Sequence, residues 1–217
     1  MNKERLLNEM AQAIVEGHKE AAEALAKAAL AQNLDLHEVI EKGYTLGIQK
    51  VGELWERGEY FLPELITSAD CMKAAMAVLR PALERARIED VSLGKVIIGT
   101  IEGDIHDIGK NLVASMLSAN GFEVADLGAD VKLERFIQAA RDMKADFICL
   151  SALLTTTMLG QRRFIEMLKE SGLRHQFKVL VGGAPVNQKW AEAIGADGYA
   201  ENALAAVKLA KSLKEKR

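Results

Sequence analysis

Apolar side chains in the first part of the chain recur every three or four residues, which is the period of an amphipathic helix. Residues 3–16 and residues 19–31 each carry such a stripe. A third helix is predicted to begin at Asp35, which forms a capping-box pattern with Glu38, and to end at Gly58. The first part of the chain is therefore predicted to be helical.

A fourth helix is predicted to follow, with Pro63 in its first turn. Its apolar stripe consists of Leu65, Ile66, Ala69, Met72, Met76 and Leu79. Pro81 is expected to kink this helix or to end it early, because proline lacks the N–H that continues the helical hydrogen bonds. Four helices joined by short loops predict a small four-helix bundle.

The pattern changes after residue 94 to short, nearly continuous apolar runs that alternate with helical segments. The predicted strands cover residues 95–100, 122–127, 147–153, 178–181 and 197–200. The predicted helices cover residues 108–119, 133–143, 158–169, 188–194 and 203–213. This alternation predicts an α/β domain of the Rossmann or flavodoxin-like type, with five parallel strands covered on both faces. Ligands of such folds bind at the carboxyl ends of the strands.

Charge and composition change at the same place in the 217-residue chain. Residues 1–90 carry 11 Lys and Arg against 16 Asp and Glu, net −5, whereas residues 91–217 carry 17 against 15, net +2. Of the 17 glycines, five precede residue 90 and 12 follow it. We therefore predict a helical domain over residues 1–90, an α/β domain over residues 91–217, and a hinge over residues 87–94.

Bulk properties disfavour several classes of protein. The net charge of −3 argues against nucleic acid as a partner. The longest uncharged stretch, residues 147–161, is shorter than a membrane span, and the polar amino terminus does not resemble a signal peptide. The two cysteines, Cys71 and Cys149, fit a reducing compartment. We expect a cytoplasmic protein with no membrane partner.

The loop after the first predicted strand, residues 102–110, concentrates the candidate chemistry. A phosphate-binding loop is disfavoured, because five residues instead of four separate Gly103 from Gly109 and the loop is acidic. A phospho-acceptor domain is disfavoured because Ser151 stands where an aspartate is needed. His106 remains either an ordinary surface histidine or a metal ligand whose second N–H is accepted by Asp104. One histidine cannot hold a bare ion, so such a metal must arrive with other ligands, as in a macrocycle.

A longer pattern includes this loop and extends to the ends of two further strands. Its three parts are Asp104, His106 and Gly109; Ser151 and Leu153; and Gly182 and Gly183. The pattern resembles the cobalamin-binding signature of methionine synthase and of the corrinoid proteins of methyltransferase systems. Residues 51–58 and 61–65 are similar to the helical cap that precedes the cobalamin domain in that family. The resemblance covers nearly the whole chain.

The resemblance implies a role for individual residues. His106 is expected to be the lower axial cobalt ligand, Asp104 to bond its other nitrogen, and Thr157 to replace the serine that completes the relay. Trp55 and Leu62 are expected to pack over the cobalt-bound methyl group. The further residues expected to contact cobalamin are Gly103, Ile105, Gly109, Ser151, Leu153, Thr155, Gly182 and Gly183.

The resemblance also implies a function. The expected protein binds cobalamin in the base-off/His-on form and carries a methyl group from a substrate-specific methyltransferase to a second methyltransferase, with tetrahydrofolate or coenzyme M as acceptor. A reductive activase is the third expected partner. Two alternatives remain: a cobalamin-dependent sensor and the cobalamin-binding subunit of a radical isomerase.

Overall fold

The computed structural model describes residues 2–86 and 92–215. Their contacts divide the chain into two compact units, Met1–Ser92 with Ser118–Gly121 and Leu93–Leu117 with Phe122–Arg217. We call these the helical unit and the sheet unit. Residue 90, where the domain boundary is predicted, and residues 87–91 of the predicted hinge lie outside the described residues. The boundary and the hinge therefore stay predictions.

The helical unit contains four helical rods, as predicted. They are α1 (Lys3–Val15), α2 (Lys19–Ala31), a composite rod of α3 (Leu36–Glu38), a π-helix (Val39–Thr45) and α4 (Leu46–Glu56), and finally α5 (Leu62–Ala86). Asp35 caps α3, because its Oδ1 accepts a hydrogen bond of 3.1 Å from the Glu38 N–H. The Glu38 carboxylate pairs with Lys3 and Lys42 instead of completing the capping box.

Two close contacts hold the composite rod in the bundle. The hydroxyl of Tyr44, a fully buried side chain in the π-helix, donates a hydrogen bond of 2.7 Å to the Ala22 carbonyl of α2. A Cβ at Gly47 would lie 2.6 Å from the Ala11 carbonyl oxygen of α1. Only glycine therefore permits the approach of α4 to α1.

The longest helix, α5, differs from the prediction in two respects. It continues through Pro81 to Ala86, so the expectation of an early end is wrong. Ile66, which the predicted apolar stripe includes, is exposed. Leu65, Ala69 and Leu79 are buried as predicted, and Met72 and Met76 are partly buried. The buried face also includes Ser68, Cys71, Ala75 and Leu83.

The sheet unit confirms the predicted five-stranded parallel sheet. Its strands are β1 (Lys95–Thr100), β2 (Glu123–Asp126), β3 (Phe147–Ser151), β4 (Lys178–Gly182) and β5 (Gly198–Tyr199), in the order β2-β1-β3-β4-β5. All neighbouring strands run parallel. The helices are α6 (Ile108–Ala119), α7 (Leu133–Met143), α8 (Thr155–Glu170), α9 (Gln188–Ile194) and α10 (Ala203–Glu215).

The two faces of the sheet have different environments. Side chains alternate between the faces along each strand. Ile97, Ile148 and Val179 belong to a buried cluster with residues of α7, α8 and α9. Ile98, Cys149 and Leu180 line a cavity together with residues of α6 and α10. Within residues 2–86 and 92–215, no helix combines the length and the apolar character needed to cross a membrane.

Candidate functional site

The strand order places a topological switch between β1 and β3. These strands are neighbours in the centre of the sheet, and the chain leaves them towards opposite faces. A crevice at the carboxyl ends of such strands is the usual ligand site of this fold. The loop after β1 carries Asp104 and His106, and the loop after β3 carries Leu153 and Leu154.

Asp104 and His106 form a hydrogen-bonded pair in the loop after β1. His106 Nδ1 lies 2.8 Å from Asp104 Oδ1, and the His106 backbone N–H donates to the same oxygen at 3.1 Å. Asp104 is 1% exposed, whereas the His106 side chain is about half exposed. Because the carboxylate accepts from Nδ1, the imidazole presents Nε2 as its free nitrogen, and no described residue bonds to it.

The second oxygen of Asp104 bonds to the loop and helix that follow β3. Asp104 Oδ2 accepts 2.7 Å hydrogen bonds from the Leu153 N–H and from Thr157 Oγ1, and a longer one from the Leu154 N–H. Predicted strand 147–153 ends earlier, at Ser151, because these N–H groups bond to Asp104 and not to a neighbouring strand. The carboxylate therefore joins the two sides of the switch.

Two opposing effects act on the pKa of the Asp104 carboxyl. Burial raises this pKa, because desolvation disfavours the charged form. The hydrogen bonds from Thr157, Leu153 and His106 stabilise the carboxylate and outweigh burial. The pKa of Asp104 lies well below its ordinary value, so the side chain is an ionised acceptor for the imidazole N–H at neutral pH.

The loop is also held by the end of β1 and by the segment that follows β2. The Thr100 hydroxyl donates a hydrogen bond of 2.9 Å to the His106 carbonyl. The Gly103 N–H donates to Asp130 Oδ1 at 2.7 Å, and the Asp130 N–H donates to the Asp104 carbonyl at 2.9 Å. These hydrogen bonds fix the backbone of the loop that carries His106.

A cavity of about 710 Å³ begins beside His106 and lies entirely within the sheet unit. Its lining comes from the loop after β1 and the start of α6, from the ends of β3 and β4, and from the segment that joins β5 to α10. Small residues at Gly109, Cys149, Gly182, Ala203 and Ala206 leave this space open.

The fold requires glycine at one of two cavity positions and not at the other. Gly183 has a φ of +123°, and a Cβ there would lie 1.7 Å from the Ala152 carbonyl oxygen, so the fold requires glycine. At Gly109, a Cβ would meet nothing within 4 Å. The fold itself does not require glycine at Gly109, and an added side chain would occupy open space.

The structure brings together seven of the residues predicted to contact the cofactor. Those lining the cavity are Ile105, His106, Gly109, Ser151, Leu153, Gly182 and Gly183. Asp104 and Thr157 lie behind His106 in the hydrogen-bonded relay. Gly103 forms a turn with a φ of +83°, and Thr155 is exposed at the start of α8; neither lines the cavity. Trp55 and Leu62 are partly buried in the helical unit.

Several cavity residues were not predicted from the sequence. Ile108, at 87% exposure, begins α6, Tyr199 ends β5, and Asn202 lies in the segment after β5. In the sequence, these residues are distinguished only by their positions at or near the carboxyl end of a predicted strand. Cys149 also lines the cavity, and burial raises the pKa of its thiol to about 12. Lys110 is buried and pairs with Asp126 at 2.5 Å.

No group of three or more His, Cys, Asp or Glu side chains suited to a metal ion occurs in the described parts of the chain. A metal at His106 would therefore need ligands from another source, such as a macrocycle.

Known proteins match both units. Two family models described as B12 binding domain match the chain, one over residues 6–80 and the other over residues 94–208. The chain is 50% identical over 205 residues to trimethylamine corrinoid protein 2 of Methanosarcina acetivorans, covering 94% of each chain. It is 47% identical over 209 residues to a corrinoid protein of Desulfitobacterium hafniense, covering 96% of this chain and 97% of the relative.

A solved structure agrees with these matches. The methanol:cobalamin methyltransferase complex of Methanosarcina barkeri contains a chain with 32% sequence identity and a TM-score of 0.85. That match covers 100% of this chain and 82% of the other. The helical and sheet units, the residues around His106 and these full-length relatives together show that the chain belongs to the family of B12-binding corrinoid proteins of methyltransferase systems.

Proposed function

We propose that this protein is a corrinoid methyl carrier that binds cobalamin base-off/His-on. The observation that carries the proposal is the geometry of His106. Its Nδ1 is bonded to a buried carboxylate, and its other nitrogen is free at the edge of a large cavity. This arrangement suits a ligating histidine, because the carboxylate that accepts from Nδ1 fixes the tautomer and increases the basicity of the imidazole.

The residues around His106 fit a large corrinoid. Ile105 and Ile108 on either side of His106 are 77% and 87% exposed, so they offer an apolar surface to a macrocycle. The open space at Gly109 permits a ligand to approach the backbone closely. The cavity beside His106 has room for part of a bulky tail, for which Ser151, Leu153 and Gly182 would form the walls. These features support cobalamin as the cofactor and His106 as the ligand of its cobalt.

Bound cobalamin supplies a cobalt ion that accepts and releases a methyl group. The residues of this chain hold and orient that cofactor. His106 would provide the lower ligand, Asp104 would hold the imidazole proton on Nδ1, and Thr157 would hold Asp104. In the helical unit, Trp55 and Leu62 are proposed to shield the methyl group from water.

The matched proteins support a methyltransferase as the partner. The names of several relatives refer to trimethylamine or dimethylamine, and the structural relative is part of a methanol:cobalamin methyltransferase complex. We propose a methylamine or methanol methyltransferase as the donor enzyme, a second methyltransferase as the acceptor enzyme, and a reductive activase. The full-length matches to corrinoid proteins favour the carrier over the sensor and the isomerase subunit.

The ligand assignment can be tested by the visible absorption spectrum. The protein would be reconstituted with hydroxocobalamin, and His106→Gly is expected to change the spectrum of the bound cofactor while the cofactor is retained. His175→Gly is the matched control, because His175 is exposed and does not line the cavity. An unchanged spectrum in His106→Gly would overturn the assignment of the ligand.

The carrier function needs a separate experiment. Reduced, cobalamin-loaded protein would be mixed with a methylamine methyltransferase and its methylamine, and in parallel with a methanol methyltransferase and methanol. Methylation of the bound cofactor in one of these mixtures supports the carrier. Tight cobalamin binding without methylation by either donor system would contradict the proposed donors.

A further inference from the structure

The side chain of Gln161 lies on the face of the sheet opposite the cavity. It is fully buried and belongs to α8, whose Phe164, Ile165 and Leu168 are part of the buried apolar cluster. Its amide nitrogen donates to the Leu150 carbonyl at 3.1 Å and to the Gly182 carbonyl at 3.2 Å. A buried side-chain amide among apolar residues is costly unless it is fully bonded, so this one is held by specific partners.

The two carbonyls belong to neighbouring strands at the wall of the cavity. Leu150 is in β3, Gly182 ends β4, and both residues line the cavity. The Gly182 carbonyl also accepts a hydrogen bond of 3.1 Å from the Ala152 N–H, which is the last backbone bond between these strands. Gln161 therefore adds a side-chain link across β3 and β4 at the point where they separate.

The distance between β3 and β4 at this point can change very little. The missing Cβ of Gly183 is the reason that the two backbones approach so closely, because it would lie 1.7 Å from the Ala152 carbonyl oxygen. A small change in the separation of β3 and β4 would therefore change the wall of the cavity.

Gln161 is itself held by Trp190 of α9. Trp190 Nε1 donates to Gln161 Oε1 at 3.0 Å, and the Arg162 guanidinium lies 4.7 Å from the centre of the Trp190 ring. The Trp190 backbone N–H is bonded to Asn187, which caps α9 at the end of the loop that begins at Gly182. Gln161 thus bonds to Gly182, just before this loop, and to Trp190, in the first turn of the helix that follows it.

We propose that Gln161, held by Trp190, is a positioning residue for the nucleotide tail of the corrinoid. It fixes the spacing of β3 and β4 and the path of the loop after Gly182, and thereby the wall of the cavity, without touching the ligand. The inference rests on the proposed function, because it needs a cobalamin whose tail enters this cavity.

The test compares two corrinoids. Cobinamide has the corrin ring but lacks the nucleotide, so the cavity wall matters to cobalamin alone. Gln161→Met preserves the shape of the side chain and removes its hydrogen bonds. We expect the Kd for cobalamin to rise about tenfold and the Kd for cobinamide to stay at its wild-type value. Gln138→Met is the matched control, because Gln138 is exposed on α7 and bonds only within that helix.

Trp190→Phe provides a second variant. It keeps an aromatic ring beside Arg162 and removes the N–H that holds Gln161, together with part of the indole. We expect a smaller selective loss of cobalamin affinity. If Gln161→Met does not fold, the Kd values of Trp190→Phe for cobalamin and cobinamide provide the test.

The outcomes separate the inference from the proposed function. Wild-type affinity for both corrinoids in the variants overturns the role of Gln161, and so does an equal loss for both, which would indicate general destabilisation. Failure of the wild-type protein to bind cobalamin overturns the proposed function instead.

Discussion

Thr157 Oγ1 donates a hydrogen bond of 2.7 Å to Asp104 Oδ2 across 53 positions of the sequence. The bond connects the first turn of α8 with the loop after β1. Since Asp104 Oδ1 contacts His106 Nδ1, the same carboxylate transmits the position of α8 to the imidazole. The orientation of His106 therefore depends on the position of α8 as well as on its own loop.

Loss of the Thr157 hydroxyl is expected to destabilise the protein. Thr157→Val removes a hydrogen bond to a buried carboxylate, which contributes about 1.5–3 kcal/mol. Thr157→Ser retains the hydroxyl and serves as the control. The measurement is denaturant unfolding of the cofactor-free protein, and equal unfolding free energies for the two variants would contradict the assigned role of the bond.

Gly109→Ala is expected to fold normally and to lose cobalamin affinity. The added methyl group meets no atom of the protein within 4 Å and extends into the space proposed for the ligand. The measurement is the Kd for cobalamin together with the thermal unfolding of the cofactor-free protein. A variant with normal stability and unchanged affinity would show that no ligand approaches Gly109.

Gly183→Ala, unlike Gly109→Ala, is expected to disturb the fold. Its methyl group would overlap the Ala152 carbonyl oxygen at 1.7 Å, and the φ of +123° at this position disfavours any residue other than glycine. We expect a clear loss of stability before any ligand is added. The control is Gly182→Ala, whose Cβ would make an ordinary contact at 3.4 Å with the Ala200 carbonyl oxygen. Similar melting temperatures for the two variants would contradict this close backbone approach.

Cys149→Leu is expected to fill part of the cavity. The additional side-chain volume enters the space between β3, α6 and α10, so cobalamin affinity should fall while the cofactor-free protein keeps its stability. Cys149→Ser keeps the size of the side chain and should bind cobalamin normally. Cofactor titration followed by absorbance distinguishes the two, and undiminished binding by Cys149→Leu would place the ligand outside this cavity.

Ser68→Ala is expected to stabilise the helical unit by about 1 kcal/mol. The Ser68 hydroxyl is fully buried in α5 and has no hydrogen-bond partner in the described part of the chain. Thr67→Ala, at the neighbouring exposed hydroxyl, should have a much smaller effect. Denaturant unfolding tests both variants, and a destabilised Ser68→Ala protein would reveal a partner for the hydroxyl.

Local pattern predicted most of the elements and missed specific details. Short, nearly continuous apolar runs predicted all five strands, because such runs are typical of a buried parallel sheet. Pro81 does not end α5, against one of the two outcomes expected for it. Ile66 is exposed, because tertiary packing decides which side of a long helix is buried. The early start of α8 at Thr155 likewise depends on bonds to Asp104, which is distant in the sequence.

The sequence by itself determined the two classes of structure, the loop of Asp104 and His106, and the resemblance that names cobalamin. These depend on residue type and spacing along the chain. Only the tertiary structure decided that the Leu153 N–H bonds to Asp104, that Cys149 and Tyr199 share a cavity with His106, and that Gln161 joins β3 to β4. The physical reason is that hydrogen bonds and cavities depend on distances between strands, which the order and register of the sheet establish.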